Sequence, residues 1–326
     1  MSNSTAKVSP FTQTVVGAVK RLYPEALADK SFDNTGLLLE APLRPGHLRN
    51  SALLTIDLTK AVADEAIARR DSIIIAYHPI IFRPLKSFTL ANSQQNSLLR
   101  LAQEGISVYS PHTAVDAAPG GLNDWLADII TGQFYRSVPS VQPSPHDRSL
   151  ITPIQQAPQG FEKAGYGRIV RFLSPQPLGL LVSRVTQGLG DLSGLSVAVP
   201  QSVPAGQKYN IQISSVGICA GSGGSMLNGL DVDLLFTGEL SHHEALAAIE
   251  QGKCVITAFH SNTEREFLKS RMRPALINEL EKMVEEKEIN EMVDREKWGL
   301  VGGFDIAVSE ADRDPYEIIT SGQTGW

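Results

Sequence analysis

A chain of 326 residues, 42% hydrophobic and 20% charged, holds one large domain or two ordinary ones with a full core, which excludes a disordered polymer. Its net charge of −6, with no basic cluster, excludes broad binding along an extended nucleic acid. No apolar run approaches the roughly 18 residues needed to span a membrane, and the start, MSNSTAKVSP, lacks the apolar core of a secretory signal. That start is rich in Ser and Thr, so a mitochondrial presequence stays open beside the default cytoplasmic, or nuclear, location. Cys219 and Cys254 each lie in an apolar run. They read as buried free thiols in a reducing compartment, with a disulfide or metal role as the alternative.

In chain order, residues 11–28 have helical apolar spacing broken by Pro24, and 31–40 read as a turn feeding a short strand. SALLTIDLT (51–59) is a strand, KAVADEAIARR (60–70) an amphipathic helix, and SIIIAYHP (72–79) a near-continuous apolar strand. That is a βαβ unit, hence parallel pairing buried on both faces. A helix over 94–104 stops at Gly105, the strand ISVYS follows, and 120–130 is helical. Residues 131–162, rich in Pro, Ser and Gln, form the best linker or insertion.

Beyond the linker, GRIVRFL, LSVAVP, ISSVGICA, DVDLLFTGE and KCVITAFH read as strands, with helices at LGLLVSRVTQGL, MLNGL and SHHEALAAIEQG. A long helix interrupted by Pro274 and the closing strand GGFDIAVSE complete the pattern. The mixed charges at 279–297 read as a solvated face or a docking surface for a protein partner.

Ligand chemistry gathers at the strand ends. His78 ends SIIIAYH; His112 follows ISVYS, with Asp116 four residues on; Glu239 follows DVDLLF, with His242 and His243 beyond; His260 ends CVITAF, with Glu264 four on. Five of the seven histidines are here, and only His47 and His146 lie elsewhere. In open α/β sheets, ligands bind at the carboxyl ends of the strands. Ser261, Asn262 or Thr263 can cap a helix whose first turn brings Glu264 back toward His260. Imidazole nitrogen and carboxylate oxygen suit a divalent cation. The competing account is structural: a hydrogen-bonded core histidine, and a glutamate serving a helix N-terminus. GSGGS (221–225) opens a helix after a strand, so Gly221, Gly223, Gly224 and Ser225 serve either a tight turn or a phosphate cradle. They lack the GK[ST] of a P-loop.

Six blocks in order, FDNTGLLLE, AYHPIIF, SPHTAVD, CAGSGGSML, LFTGELSHHEAL and FHSNTEREFL, resemble the NGG-one-interacting-factor-three family, and DRDP near the C-terminus resembles its eukaryotic branch. Some members of that family are described as "GTP cyclohydrolase I type 2". The resemblance implies an α/β fold of two related lobes, with largely parallel or mixed sheets flanked by helices and a dinuclear metal site in a cleft at strand C-terminal ends. It implies a first lobe over 1–135, a linker over 136–164, a second lobe over 165–234, and a return to the first lobe over 235–326. It further implies one metal on His78, Asp116 and Glu264, and a second on His260 with Glu264 bridging. Tyr77 stands where the family has the first His of an HHP motif. A neutral phenol is a poor ligand, so the second ion is weak, recruits His112 or water, or is absent. Ring-shaped homo-oligomers are common in the family.

The leading expectation is a metal-dependent hydrolase-like protein holding one or two divalent ions (Zn, Fe, Mn or Mg) and acting on a small molecule, a nucleotide such as GTP included. Glu239 is the candidate general base or orienter, and His242 or His112 the proton shuttle. The alternative is a non-enzymatic metal carrier or protein-interaction module linked to transcriptional regulation.

Overall fold

The computed structural model describes residues 7–135, 142–290 and 303–319. It divides into two compact units, Met1–Ala118 with Leu268–Arg313, and Pro119–Phe267 with Asp314–Trp326.

The first unit is built on a five-stranded sheet in the order β1 (Gly36–Leu39), β4 (Ser107–Ser110), β3 (Ile73–Ala76), β2 (Ser51–Thr55), β11 (Asp305–Val308). Only β1 runs antiparallel to its neighbour. The crossovers are α2 (Lys60–Arg69), capped by the Thr59 hydroxyl, and α3 (Ser93–Glu104), capped by Asn92. Both helices end on a left-handed residue, Arg70 and Gly105. At Gly105 a side chain would also meet the Pro42 carbonyl at 3.0 Å, so glycine is required there twice over. Leu53, Ile74, Ala76 and Val108 pack with Val62, Ala66, Leu98 and Leu101 of these helices. The alternate residues Ala52, Leu54, Ile73 and Ile75 are equally buried, as strands covered on both faces demand. Two further helices of this unit, α1 (Pro10–Leu22) and α10 (Arg273–Asn290), pack against each other.

The second unit carries a six-stranded sheet in the order β5 (His146–Pro153), β6 (Gly165–Pro177), β8 (Gln212–Ser222), β9 (Leu234–Glu239), β10 (Cys254–Thr257), β7 (Ser196–Ala198). β8, β9 and β10 are parallel; the outer strands are antiparallel. Its helices are α5 (Leu122–Thr131), α6 (Leu178–Gly188), the one-turn α7 (Gly224–Leu227), α8 (His242–Glu250) and α9 (Asn262–Phe267). A full capping box between Ser241 and Glu244 starts α8.

The sheet pairing differs from the division expected from the sequence. Residues 235–326 do not return to the first lobe as a block. β9 and β10 belong to the second sheet because their apolar strands pair in register with each other and with β8. Only the stretch from Leu268 to Arg313 rejoins the first unit. The expected linker contains β5, an edge strand with alternating, half-exposed residues. The interruption expected at Pro274 is a single π turn, Leu268–Met272, which joins α9 to α10 just before Pro274, the second residue of α10. The docking surface expected at 279–297 lies outside the described residues beyond Asn290. Both cysteines are buried and unbridged, and burial pushes the Cys254 thiol up to about 11.

Candidate metal centre

In the first unit the donors are placed by the parallel ladder. Tyr77 and His78 extend the pairing of β3 with β2, donating to the Thr55 and Ile56 carbonyls at 2.9 and 3.0 Å. That register sets Asp57, just past β2, beside His78: its Oδ1 lies 2.9 Å from His78 Nδ1. His112 opens α4 (His112–Ala117) directly after β4, and its Nδ1 lies 2.7 Å from Asp33 Oδ1. One helical turn later comes Asp116, whose Oδ1 accepts the Tyr77 hydroxyl at 2.6 Å. The rings of Tyr77, His78 and His112 contact one another, with centroids 5.0 to 5.5 Å apart.

In the second unit, β9 and β10 end side by side. Glu239 closes β9, and its Oε1 lies 2.9 Å from His260 Nδ1. Phe259, just before His260, adopts the left-handed region with φ +65°, turning the chain sharply out of the strand. The chain then starts α9, with Glu264 in the first turn. Glu264 is only 1% exposed, and its Oε1 stands 3.5 Å from His260 Nε2. Against this pair lies Gly221, at φ +60°. A Cβ there would meet His260 Nε2 at 2.9 Å and Glu264 Oε1 at 3.1 Å.

Of these residues, His78, His260 and Glu264 bring one ligand atom each close enough together that they could hold a metal ion. All three histidines commit Nδ1 to a carboxylate, which fixes the tautomer and makes Nε2 the nitrogen to offer a metal, as ligating histidines do. The 3.5 Å between His260 Nε2 and Glu264 Oε1 is long for a hydrogen bond. It matches the edge of about 3.4 Å between tetrahedral ligands held at 2.0–2.1 Å. The glycine cradle keeps a methyl group out of that space.

Burial alone would push Asp33 up. Hydrogen bonds from His112, Thr113 and Thr35, with the His112 charge, outweigh it and hold the carboxyl at about 2. A depressed carboxyl stabilises the fold above its unfolded value of 3.8 and loses that contribution as pH falls through about 2. The stability gap between wild type and Asp33→Asn should therefore shrink by roughly 2 kcal/mol between pH 5 and pH 2. Urea melts across that range check it; a constant gap would contradict the assignment.

The glycine-rich turn is closely packed. The Gly221 N–H donates to Thr263 Oγ1 at 2.9 Å. A Cβ at Gly223 would meet Thr237 Oγ1 at 2.4 Å, and one at Gly224 would meet Glu244 Oε1 at 2.2 Å. Ser225 lies in the four-residue α7. His242 and His243 are exposed and meet edge-on at the start of α8.

A profile of the Duf34/NIF3 (NGG1p interacting factor 3) family matches residues 12–294. The chain belongs to this family. It is 48% identical over 280 residues to the protein NIF3 homolog of Schizosaccharomyces pombe, covering 86% of this chain and 92% of that one. To the NGG1-interacting factor 3 of Saccharomyces cerevisiae it is 39% identical over 315 residues, 93% and 96% of the two chains. Among solved structures, a Bacillus cereus protein related to NIF3 superposes with a TM-score of 0.68 at 20% identity, covering 97% of this chain and all of that one. That likeness extends to the two-lobed α/β fold of the NIF3 family.

Two residues of the site escaped the sequence reading, Asp57 and Asp33. Each holds a histidine rather than ending an apolar strand beside one. The signal for Asp57 was its place in TIDLT, at the same sheet edge as His78; Asp33 lies in the FDNTG block.

Proposed function

We propose that His78, Asp116, His260 and Glu264 serve one divalent metal ion, and that the loaded centre is hydrolase-like. His78, His260 and Glu264 each offer one ligand atom suited to an ion. The observation that carries the reading is the repeated His–carboxylate pairing, His78 with Asp57 and His260 with Glu239. One ion rather than two is favoured because the Tyr77 hydroxyl donates to Asp116 where a second imidazole would be needed.

A divalent ion held by these residues would supply Lewis acidity and would lower the pKa of water enough to make hydroxide available near neutral pH. The chain's own residues set the geometry. Glu239 holds His260 by Nδ1 and Asp57 holds His78 by Nδ1. His112, oriented by Asp33, is the group placed to carry a proton at Nε2, since its other nitrogen is committed. A small molecule with a hydrolysable bond, a nucleotide such as GTP included, is the substrate class. A second reading, a metal carrier that docks on a protein partner, draws on the printed name of the S. cerevisiae relative. No helix among the described residues is long and apolar enough to cross a membrane.

Elemental analysis of protein purified without added metal tests the proposal, followed by nucleotide hydrolysis with and without chelator. The expected result is about one divalent ion per chain and chelator-sensitive turnover. Bound metal without turnover favours the carrier. Protein that takes up no zinc, manganese or ferrous ion on dialysis overturns both.

A further inference from the structure

The segment Asp312-Arg313-Asp314-Pro315 lies far along the chain from every proposed ligand, yet both of its aspartates are engaged in hydrogen bonds beside donor residues. In the first unit, Asp312 Oδ2 accepts from the Thr55 hydroxyl at 2.9 Å, the Ile56 N–H at 2.6 Å and the Asp57 N–H at 3.4 Å. Those three residues are the end of β2 and the start of the loop that presents Asp57 to His78. In the second unit, Asp314 Oδ2 accepts the Ser261 hydroxyl at 2.6 Å, while its Oδ1 takes the Tyr316 N–H at 2.8 Å. Ser261 is buried between His260 and the helix that carries Glu264, and its carbonyl receives the Glu264 N–H at 3.1 Å.

We propose that Asp312 and Asp314 are positioning residues for the metal centre: Asp312 acts on His78 through Asp57, and Asp314 acts on His260 and Glu264 through Ser261. This rests on the metal reading above. The physical reason is directional. A carboxylate that accepts consecutive backbone N–H groups fixes the peptide planes at the strand end, and with them the direction of the Asp57 side chain. Asp57 in turn sets the rotation of the His78 ring. The turn that delivers Asp312 is itself fastened. Ser309 N–H continues the β11–β2 ladder to the Leu54 carbonyl at 2.8 Å, Asp312 N–H donates to Ser309 Oγ at 3.2 Å, and Glu65 accepts the Glu310 and Ala311 N–H groups at 3.1 and 3.2 Å. Asp312 bonds the backbone of Asp57 itself, and Asp314 bonds the residue that directly follows His260.

The test is a cobalt(II) titration of the metal-free full chain, reading both affinity and the visible absorption bands of the bound ion. Wild type is compared with Asp312→Ala, Asp57→Ala and the double variant. Asp312→Ala should weaken cobalt binding about tenfold, the low end for residues that hold a ligand rather than the metal, and should change the bands. In the Asp57→Ala background the same substitution should add little, because the two act in series. Asp312→Asn, whose amide oxygen still accepts a backbone N–H, should restore most of the affinity. Asp314→Ala and Ser261→Ala should show the same non-additivity. If Asp312→Ala does not fold, Asp312→Ser replaces it in the comparison. Lowered thermal stability with unchanged cobalt affinity and spectrum would make the role purely structural and overturn the inference. So would a full tenfold loss that persists without Asp57. Failure of the wild type to bind cobalt is a separate outcome, and it sinks the metal reading together with what rests on it.

Discussion

Glu264→Gln is expected to abolish metal retention while leaving the fold intact. Glutamine keeps the volume and shape of the side chain, so the first turn of α9 and its packing are preserved. What disappears is the negative charge, in a position only 1% exposed, with Oε1 3.5 Å from His260 Nε2. A hard or borderline cation binds a carboxylate far better than a neutral amide. The expected loss is at least about 100-fold in affinity, the upper end of what removing an outer partner alone does. Thermal melts give the clean readout. Ligand binding raises wild-type stability in proportion to the logarithm of metal concentration over Kd. Metal-free wild type and Glu264→Gln should melt alike, and only the wild type should gain on adding metal. A variant that retains the metal-induced gain would reject Glu264 as a ligand.

Asp124→Ala should be the most damaging substitution for the second unit. Arg168 is 2% exposed. Its guanidinium grips Asp124 with two bonds, 2.7 and 2.9 Å, and donates to the Gly165 and Gly167 carbonyls at 2.7 and 2.8 Å. Asp124 is buried enough to be pushed up, yet the Arg168 bonds hold its carboxyl below the usual range. Removing the carboxylate strands a buried cation, which costs about 3–5 kcal/mol. Replacing both partners with apolar residues of similar volume, Asp124→Leu with Arg168→Met, should recover part of that loss, because the stranded guanidinium is gone and Arg148, which also bonds Asp124 at 3.2 Å, keeps Asp128 at 2.7 Å. Urea denaturation of the three variants checks it. A cost under about 1 kcal/mol for Asp124→Ala would mean the guanidinium finds water or another acceptor.

Legibility followed the apolar runs. β2, β3, β9 and β10 are largely buried, mainly aliphatic or β-branched runs, and β4 is buried around Val108 and Tyr109, so their carboxyl ends, and His78, His112, Glu239 and His260 with them, could be read directly. What failed was the partition of those ends. They read as one edge, but β3 and β4 lie in one sheet and β9 and β10 in another, because strand partnership is a long-range property that no local pattern carries. β5 was missed because an edge strand with one solvated face has no apolar run to announce it. The roles of Asp57, Asp33, Asp312 and Asp314 could not be read for a related reason. A carboxylate in a loop looks the same whether it faces water or accepts from an imidazole or a strand-end N–H.

The position of β11 has a consequence for biosynthesis. The sheet of the second unit is made from one continuous stretch, residues 146–257, and its strands can pair while later residues are still being polymerised. The first unit waits. Until Asp305–Val308 leaves the ribosome, the outer side of β2 is an unpaired edge, open to chaperones or to a neighbouring nascent chain. Asp312 follows β11 in the chain, so its bonds to the Ile56 and Asp57 N–H groups can form only after that strand has been made.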